Sequence, residues 1–569
     1  MTLHLLKKIY GRLLLSRAKH PSLQGHPRLA LKAARWVPGY SYGDGAFFSS
    51  DSAPAHIQKK RREGFQRLAK FFRQRSPKTI ALSEELEAAV PDLAFVNGHR
   101  VPFQYQRYIQ DHLRIGSIVD AAEGPRVRDL DGNWSYDLGG SYGVNLFGSD
   151  FYKRCIERGV KRAGGLGLVL GEYHPVIADN VARLKRLSGL DDVSFHMSGT
   201  EAVMQAVRLA QYHTKRSHVV RFSGAYHGWW NGVQAGIGNP RPARDTYTLK
   251  EMDENTLRVL RTRRDIACVL VNPVQALNPN GVPASDNSLI ASDRYAVFDK
   301  SAYTRWLQDL RAVCTARSIV LIFDEVFLGF RLALGGAQEY FGTKADMVTY
   351  GKSLGGGLPV GVVCGRRDLM RRYDDRRPLD ICFARGTFNS HPYVMATMNE
   401  FLCYLDEPDV RVGYQKLEGL WNGRAYDLND RLARLGLPVR VANLISVWTT
   451  LYLQPSRYNW MFQYYLRAEN LNLSWIGTGR FIFSHDLKAE DFSEIADRFI
   501  QAAIMMEADG WWWHDMALTN KAIKRRVIKE LLSAKLGRPP SDRTTAPEEA
   551  RSETCGRSLR RARGPSESW

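Results

Sequence analysis

Five short apolar runs rich in β-branched residues punctuate the middle of the chain: Val219–Phe222, Ile266–Val271, Ile319–Phe323, Met347–Tyr350 and Val360–Cys364. Runs that do not alternate with polar residues read as strands buried on both faces. Between two of them the period changes. Ser301–Arg317 places Tyr303, Trp306, Leu307, Leu310 and Val313 at helical spacing. Buried strands separated by amphipathic helices predict an α/β domain with a mostly parallel sheet covered on both sides. Ligands of such sheets bind at the carboxyl ends of the strands.

Either side of this region the pattern is mixed. Ile118 to Trp134 predicts two strands joined through the Asp131-Gly132 turn. The stretch from Pro392 to Gly510 ends in a helix, Asp491–Met506, marked by Phe492, Ile495, Phe499 and Ile500. The expected organisation is a basic extension over 1–80, the first part of a small α+β domain over 81–150, the large domain over 151–391, the rest of the small domain over 392–510, and a second basic extension over 511–569. Pro21, Pro27, Pro38 and Pro54 break up the first extension, which predicts short helices and turns rather than a packed domain. The polar tail after Pro539 is expected to be disordered.

Composition refines this picture in three places. At 569 residues the chain exceeds one ordinary core, and 44% hydrophobic residues supply enough apolar surface to fold most of it. The net charge of +21 sits at the ends. Residues 1–80 carry 17 Lys and Arg against 3 Asp and Glu, and residues 515–569 carry 13 against 7, so the body is almost neutral. The seven cysteines are widely spaced and form neither CxxC pairs nor a zinc-type cluster, so no metal site is expected and a reducing cytosol fits best. No apolar run approaches the roughly 20 residues that span a bilayer, and the first residues lack a secretory cleavage pattern.

The chemistry concentrates in a few segments. Leu321-Ile-Phe-Asp-Glu-Val-Phe-Leu-Gly-Phe-Arg331 places two acids at a strand end, and Asp346-Met-Val-Thr-Tyr-Gly-Lys-Ser-Leu-Gly-Gly-Gly357 follows a strand with a lysine. A Walker loop is disfavoured, because the glycines follow Lys352 instead of preceding it. Met197-Ser-Gly-Thr-Glu-Ala-Val-Met-Gln-Ala-Val-Arg-Leu-Ala210 opens with small polar residues and becomes a helix, where Ser198 or Thr200 could be an ordinary N-cap. Gly224-Ala-Tyr-His-Gly-Trp229 and Gly386-Thr-Phe-Asn-Ser-His-Pro392 complete the set.

Together these segments resemble the class III aminotransferase signature, over about Val119 to Phe499, and within the class they look most like the glutamate-1-semialdehyde 2,1-aminomutase branch. The resemblance implies a fold-type I pyridoxal-5′-phosphate-dependent transferase. It implies that Lys352 carries the cofactor as a Schiff base and then acts as the base that moves the proton. Asp324 would keep the pyridine nitrogen protonated, so that the ring accepts electrons from the substrate carbon. Burial would lower the basicity of Lys352. Ser198, Gly199 and Thr200 would hold the cofactor phosphate at a helix start. Tyr226 would stack on the ring, with His227 and Val326 beside it. Thr387 resembles the threonine that reaches the phosphate of the neighbouring subunit, which implies a homodimer with shared sites.

Three departures stand out. Asn272 occupies the place of an expected glutamate, His391 that of an expected asparagine, and no GGVNSPVR-like segment precedes Pro102. The implied function is transamination of an amine or amino acid with a carbonyl compound. An intramolecular aminomutase and a catalytically silent scaffold of the same fold are the alternatives.

The basic ends also carry apolar faces. Leu3, Leu6, Ile9, Tyr10, Leu13 and Leu14 share one face of Met1–Ser16, and Lys59–Arg75 and Lys521–Lys535 repeat the pattern on either side of Trp511-Trp-Trp513. They could pack on the body, or suit an anionic membrane surface or an acidic acyl carrier protein. Nucleic acid ranks last, since no recognition module is present.

Overall fold

The apolar runs become the middle of a seven-stranded sheet. In the computed structural model, which describes residues 2–234, 236–239, 244–281, 298–473 and 480–538, its spatial order is Asp192–His196, Gly361–Gly365, Met347–Gly351, Val320–Asp324, Ile266–Val271, His218–Phe222 and Thr246–Leu249. The last five run parallel, and Gly361–Gly365 is antiparallel to both of its neighbours. All six residues of Ile266–Val271 are buried, as a strand covered on both faces requires. Two strands escape the sequence reading, Asp192–His196 and Thr246–Leu249. They are the two edge strands, and both alternate polar and apolar residues too briefly to stand out.

Register decides what meets at the carboxyl edge. Gly361 pairs with both Gly351 and His196, and Asp324 pairs with Thr349. The strand ends that lead into Ser198, Lys352 and Glu325 therefore line up. A Cβ at Gly361 would come within 1.9 Å of the Ser198 carbonyl oxygen, so only glycine allows that approach.

The flanking regions form smaller sheets. Ala121–Glu123, Arg126–Arg128 and Trp134–Asp137 form an antiparallel run with Asp131-Gly132 in its second turn, and Leu471–Asn472 joins it in parallel. Val439–Leu444, Val447–Tyr452 and Arg480–Ile482 form an antiparallel sheet against the helix Ala489–Ala508. The expected helices at 301–317 and 491–506 appear as Lys300–Arg317 and Ala489–Ala508.

The N-terminal extension differs from expectation: it is packed. Phe47, Phe65, Leu68 and Phe72 are buried, and Phe47 and Phe48 pack against Trp511. Two of its four prolines begin helices, Pro27 at the first turn of Pro27–Trp36 and Pro54 capping Ala55–Arg75, while Pro38 follows the end of the first of these. Arg61 is fully buried and grips Asp51 through two hydrogen bonds of 2.9 and 2.7 Å. Two of the three consecutive tryptophans between the basic helices are buried as well. Trp511 and Trp512 lie in the core, donating to the Tyr465 hydroxyl at 2.7 Å and to Asn459 Oδ1 at 3.1 Å. Burial is open to tryptophan wherever its N–H finds an acceptor. On Thr2–Ala18 the expected face splits: Leu14 is buried, while Leu6, Ile9, Tyr10 and Leu13 remain exposed. The tail after Pro539 lies outside the described residues.

Candidate active site

Lys352 opens the turn that follows Met347–Gly351 and holds a left-handed backbone, φ +45°. A non-glycine residue in that region is strained and is held there by its surroundings. Its side chain lines a cavity of about 350 Å³ shared with Ser198, Gly199, Thr200, Tyr226, His227, Asp324 and Val326. Burial lowers the Lys352 pKa, with Asp324 opposing and the Arg331 and Arg480 charges adding to the shift. The Lys352 Nζ lies 5.5 Å from the centre of the Phe327 ring, and the Arg480 guanidinium 5.7 Å from the same ring.

Asp324 ends a strand whose five residues are all buried. Its Oδ2 lies 2.8 Å from His227 Nδ1, and its Oδ1 accepts from the Thr349 hydroxyl and the Val326 N–H at 3.2 Å. Burial lowers the His227 pKa, so the imidazole is neutral and its Nδ1–H donates to the carboxylate. Its Nε2 is left buried with no partner among the described residues.

The Ser198 hydroxyl caps the helix Gly199–Thr214 by accepting from the Glu201 N–H at 3.2 Å. The N-cap role and an anion-facing role are compatible, because the hydroxyl still has its own proton to donate. First-turn N–H groups have no intrahelical acceptor, so the helix start faces the cavity as a set of donors. Gly199 and Gly228 permit this packing. Cβ atoms there would come within 2.5 Å of Val326 and of the Thr200 hydroxyl.

The departures acquire structural roles. Asn272 donates to the Tyr226 carbonyl at 2.9 Å and fixes the backbone that presents the tyrosine. Tyr226 itself is 59% exposed, leaving its ring open to a ligand. His391 caps the helix Pro392–Tyr404 through Nδ1.

One expected residue stands elsewhere. Thr387 is exposed and lines a different cavity, of about 700 Å³, with Tyr173, Arg372 and Asn389. A single chain does not bring it to Lys352.

Sequence reading passed over two buried groups inside its strongest motif. Glu325 donates nothing to the cavity: it accepts from the Ala337 N–H at 2.6 Å, and burial raises its pKa to about 8. Arg331 is fully buried and donates to the carbonyls of Gly143, Asn145 and Phe483 and to the Ser446 hydroxyl. It ties the turn around Gly143 to the 446 and 483 segments. A polar residue after Gly-Phe gives no sign of burial, so only the motif's shape pointed to it.

Comparison with known proteins agrees with this geometry. The class-III aminotransferase family model matches residues 108–281 and 299–437. Glutamate-1-semialdehyde 2,1-aminomutase from Acetivibrio thermocellus is 34% identical over 331 residues, covering 53% of this chain and 71% of that one. The enzyme of the same name from Alkaliphilus oremlandii is 32% identical over 374 residues, covering 61% and 82%. Among solved structures, a transaminase with PLP bound superposes with a TM-score of 0.58 at 26% identity, covering 70% of this chain and 92% of the other. A glutamate-1-semialdehyde aminomutase from Pseudomonas aeruginosa shares the fold with a TM-score of 0.63 at 18% identity, covering 79% and 99%.

Proposed function

Because the chain belongs to the class-III aminotransferase family, enzymes that use pyridoxal 5′-phosphate, we propose that it exchanges an amino group between an amine or amino acid and a carbonyl compound at the Lys352 cavity. The observation that carries this reading is the buried Asp324–His227 pair sharing one cavity with Lys352 and a helix start. The cavity suits the cofactor chemically. Ser198, Gly199 and Thr200 offer donors to a phosphate, the buried Asp324 carboxylate suits a protonated ring nitrogen, and Lys352 offers an amine for covalent attachment.

When bound, the cofactor draws electron density from the substrate carbon that bears the nitrogen. The chain's residues do the rest. Asp324 holds the proton on the ring nitrogen, and His227 and Thr349 keep the carboxylate aimed. Lys352, its basicity lowered by burial, moves a proton between carbon centres. Tyr226, presented by Asn272, would cover one face of the ring.

An intramolecular aminomutase uses the same groups and differs only in whether the intermediate is released. Absorption spectroscopy with candidate amines tests both. A band near the visible edge that bleaches with an amino donor, and returns with a separate carbonyl acceptor, supports transamination. Bleaching without any exchange with added acceptor supports the mutase. No band after cofactor addition counts against the whole reading.

The complete enzyme in this reading is a homodimer, with Thr387 serving the phosphate site of the second copy, and the large domain spans 151–391. A further reading concerns its location. No helix among the described residues is long and apolar enough to cross a membrane. Residues 1–43 carry eight Lys and Arg and no Asp or Glu, beside the exposed Leu6, Ile9, Tyr10 and Leu13. That combination favours peripheral contact with an anionic membrane surface over an acyl carrier protein, because apolar side chains and the cations Lys8, Arg12 and Arg17 face outward on one helix.

A further inference from the structure

The loop that carries Tyr226 and His227 is held from behind by a side chain of the preceding strand. Arg221 stands one residue before the end of His218–Phe222, where it pairs with Thr248 of the edge strand. Its guanidinium reaches along the loop and donates to two carbonyls, that of Ala225 on the near limb and that of Val233 on the far limb. Both of those residues are buried. Between the two anchors stand Tyr226, His227 and Gly228, which line the Lys352 cavity, while Arg221 itself does not line it.

Ala225 to Gly228 form neither helix nor strand, so their backbone groups need side chains as partners. Asn272 donates to the Tyr226 carbonyl at 2.9 Å and Gln275 to the Ser223 carbonyl at 3.2 Å, both on the near limb. On the far limb the N–H groups of Val233 and Gln234 donate to the Trp230 carbonyl at 3.0 and 2.9 Å, and the Thr246 hydroxyl donates to the Gly232 carbonyl at 2.8 Å. Asn272 and Gln275 thus serve one limb and Thr246 the other, whereas Arg221 serves both. The residue type suits the task. A guanidinium holds its N–H donors in a rigid planar fork, and a charged donor makes the stronger hydrogen bond to a carbonyl. Burial lowers the Arg221 pKa to about 10, which leaves the group charged at neutral pH. Burial first, and the Arg221 charge with it, lowers the His227 pKa, in keeping with a neutral imidazole that donates to Asp324.

We propose that Arg221 is a positioning residue for the cofactor: by clamping the Ala225 and Val233 carbonyls it sets where Tyr226 and His227 stand in the Lys352 cavity. The inference rests on the reading of that cavity as the pyridoxal 5′-phosphate site. Tyr226 depends on the clamp more than His227 does. The imidazole is buried and tied to Asp324, but the tyrosine side chain is largely exposed, so its backbone rather than its packing decides where the ring stands. Lysine at this position would keep the charge and reach one carbonyl at a time, because its ammonium lacks the fork.

Titration of the full-length, cofactor-free protein with pyridoxal 5′-phosphate, followed by absorbance, measures the affinity. Circular dichroism of the bound cofactor's band reports whether its ring is held in one asymmetric place. Arg221→Met is expected to weaken binding about tenfold or more and to lower the dichroism per bound cofactor. Arg221→Lys should recover part of both. Because Asn272 acts on the same loop, Arg221→Met combined with Asn272→Ala should weaken binding by clearly less than the product of the two single effects. Melting curves of the cofactor-free proteins show which variants keep the fold, and Arg221→Lys carries the test if Arg221→Met does not. Wild-type affinity and dichroism in the folded variants, or single effects that multiply in full in the double variant, overturn the proposal. A wild type that binds no cofactor overturns the reading of the Lys352 cavity itself, and this inference with it.

Discussion

The His227 Nδ1–H donates a hydrogen bond to Asp324 Oδ2 across 2.8 Å, and both side chains are shut away from solvent. The hydrogen bond fixes the direction in which the carboxylate points. Asp324→Asn keeps the shape and removes the charge. The cofactor should still bind, and turnover should fall on the order of a thousandfold. His227→Leu leaves the charge and loses the aim, so a smaller loss of about tenfold to a hundredfold is expected. Steady-state rates for both variants, with cofactor content measured by absorbance, check the order of the two effects.

Lys352→Ala removes a desolvated amine from a polar cavity and leaves the core intact. A melting temperature at or above that of the wild type is expected, with no turnover. Borohydride reduction followed by peptide mapping should place the cofactor on Lys352 in the wild type, and a label on any other lysine would contradict the assignment.

Thr387 is exposed in its own cavity, apart from Lys352. If a second copy uses it, coexpression of Lys352→Ala with Thr387→Ala restores one intact site in each mixed dimer. At limiting cofactor the mixture should recover about a quarter of wild-type activity, since half the dimers are mixed and each carries one good site of two. Activity no higher than that of Thr387→Ala diluted by inactive protein would place the threonine in its own subunit's site.

Two buried carboxyls outside the reaction set a pH dependence of stability. Burial raises the pKa values of Glu251 and Glu325 from 4.5 to about 8. The unfolded chain releases these protons near pH 4.5, while the folded chain keeps them to about pH 8. The stabilisation is therefore full at low pH and is lost as the pH rises through that window, at up to about 1.4 kcal/mol per pH unit for each group. Glu251→Gln and Glu325→Gln remove the titrating groups at nearly constant shape. Melting curves between pH 5 and pH 8 should flatten in each variant. An unchanged slope would show that the carboxyls ionise in the folded state.

The exposed side of Thr2–Ala18 gives the location its test. The holoenzyme should sediment with vesicles of anionic phospholipid and not with neutral ones, and raised salt should release it. Leu13→Glu and Tyr10→Glu change exposed side chains, so folding should survive while sedimentation is lost. Equal sedimentation of wild type and variants, or none by either, would leave the helix as a solvated surface.

The sequence by itself determined the local parts. The buried strands at Ile266–Val271 and Met347–Gly351, and the adjoining Asp-Glu and Lys-Gly segments, were legible because period and residue type are properties of a few consecutive residues. The residues expected to hold the cofactor stood out for the same reason, each standing next to a recognisable strand end or helix start. What tertiary structure decided concerns pairs far apart in the chain. That His227 bonds Asp324, that Asn272 holds Tyr226, and that Arg331 bridges Gly143 and Phe483 follow from strand order and register, which no local pattern encodes. The basic ends show the same limit from the other side. Phe72 and Leu13 look alike as apolar residues on cationic helices, yet Phe72 is buried and Leu13 is 55% exposed. An amphipathic face requires a covering surface, but only the packed chain supplies one, and it covers the helix Ala55–Arg75 while leaving much of Thr2–Ala18 bare.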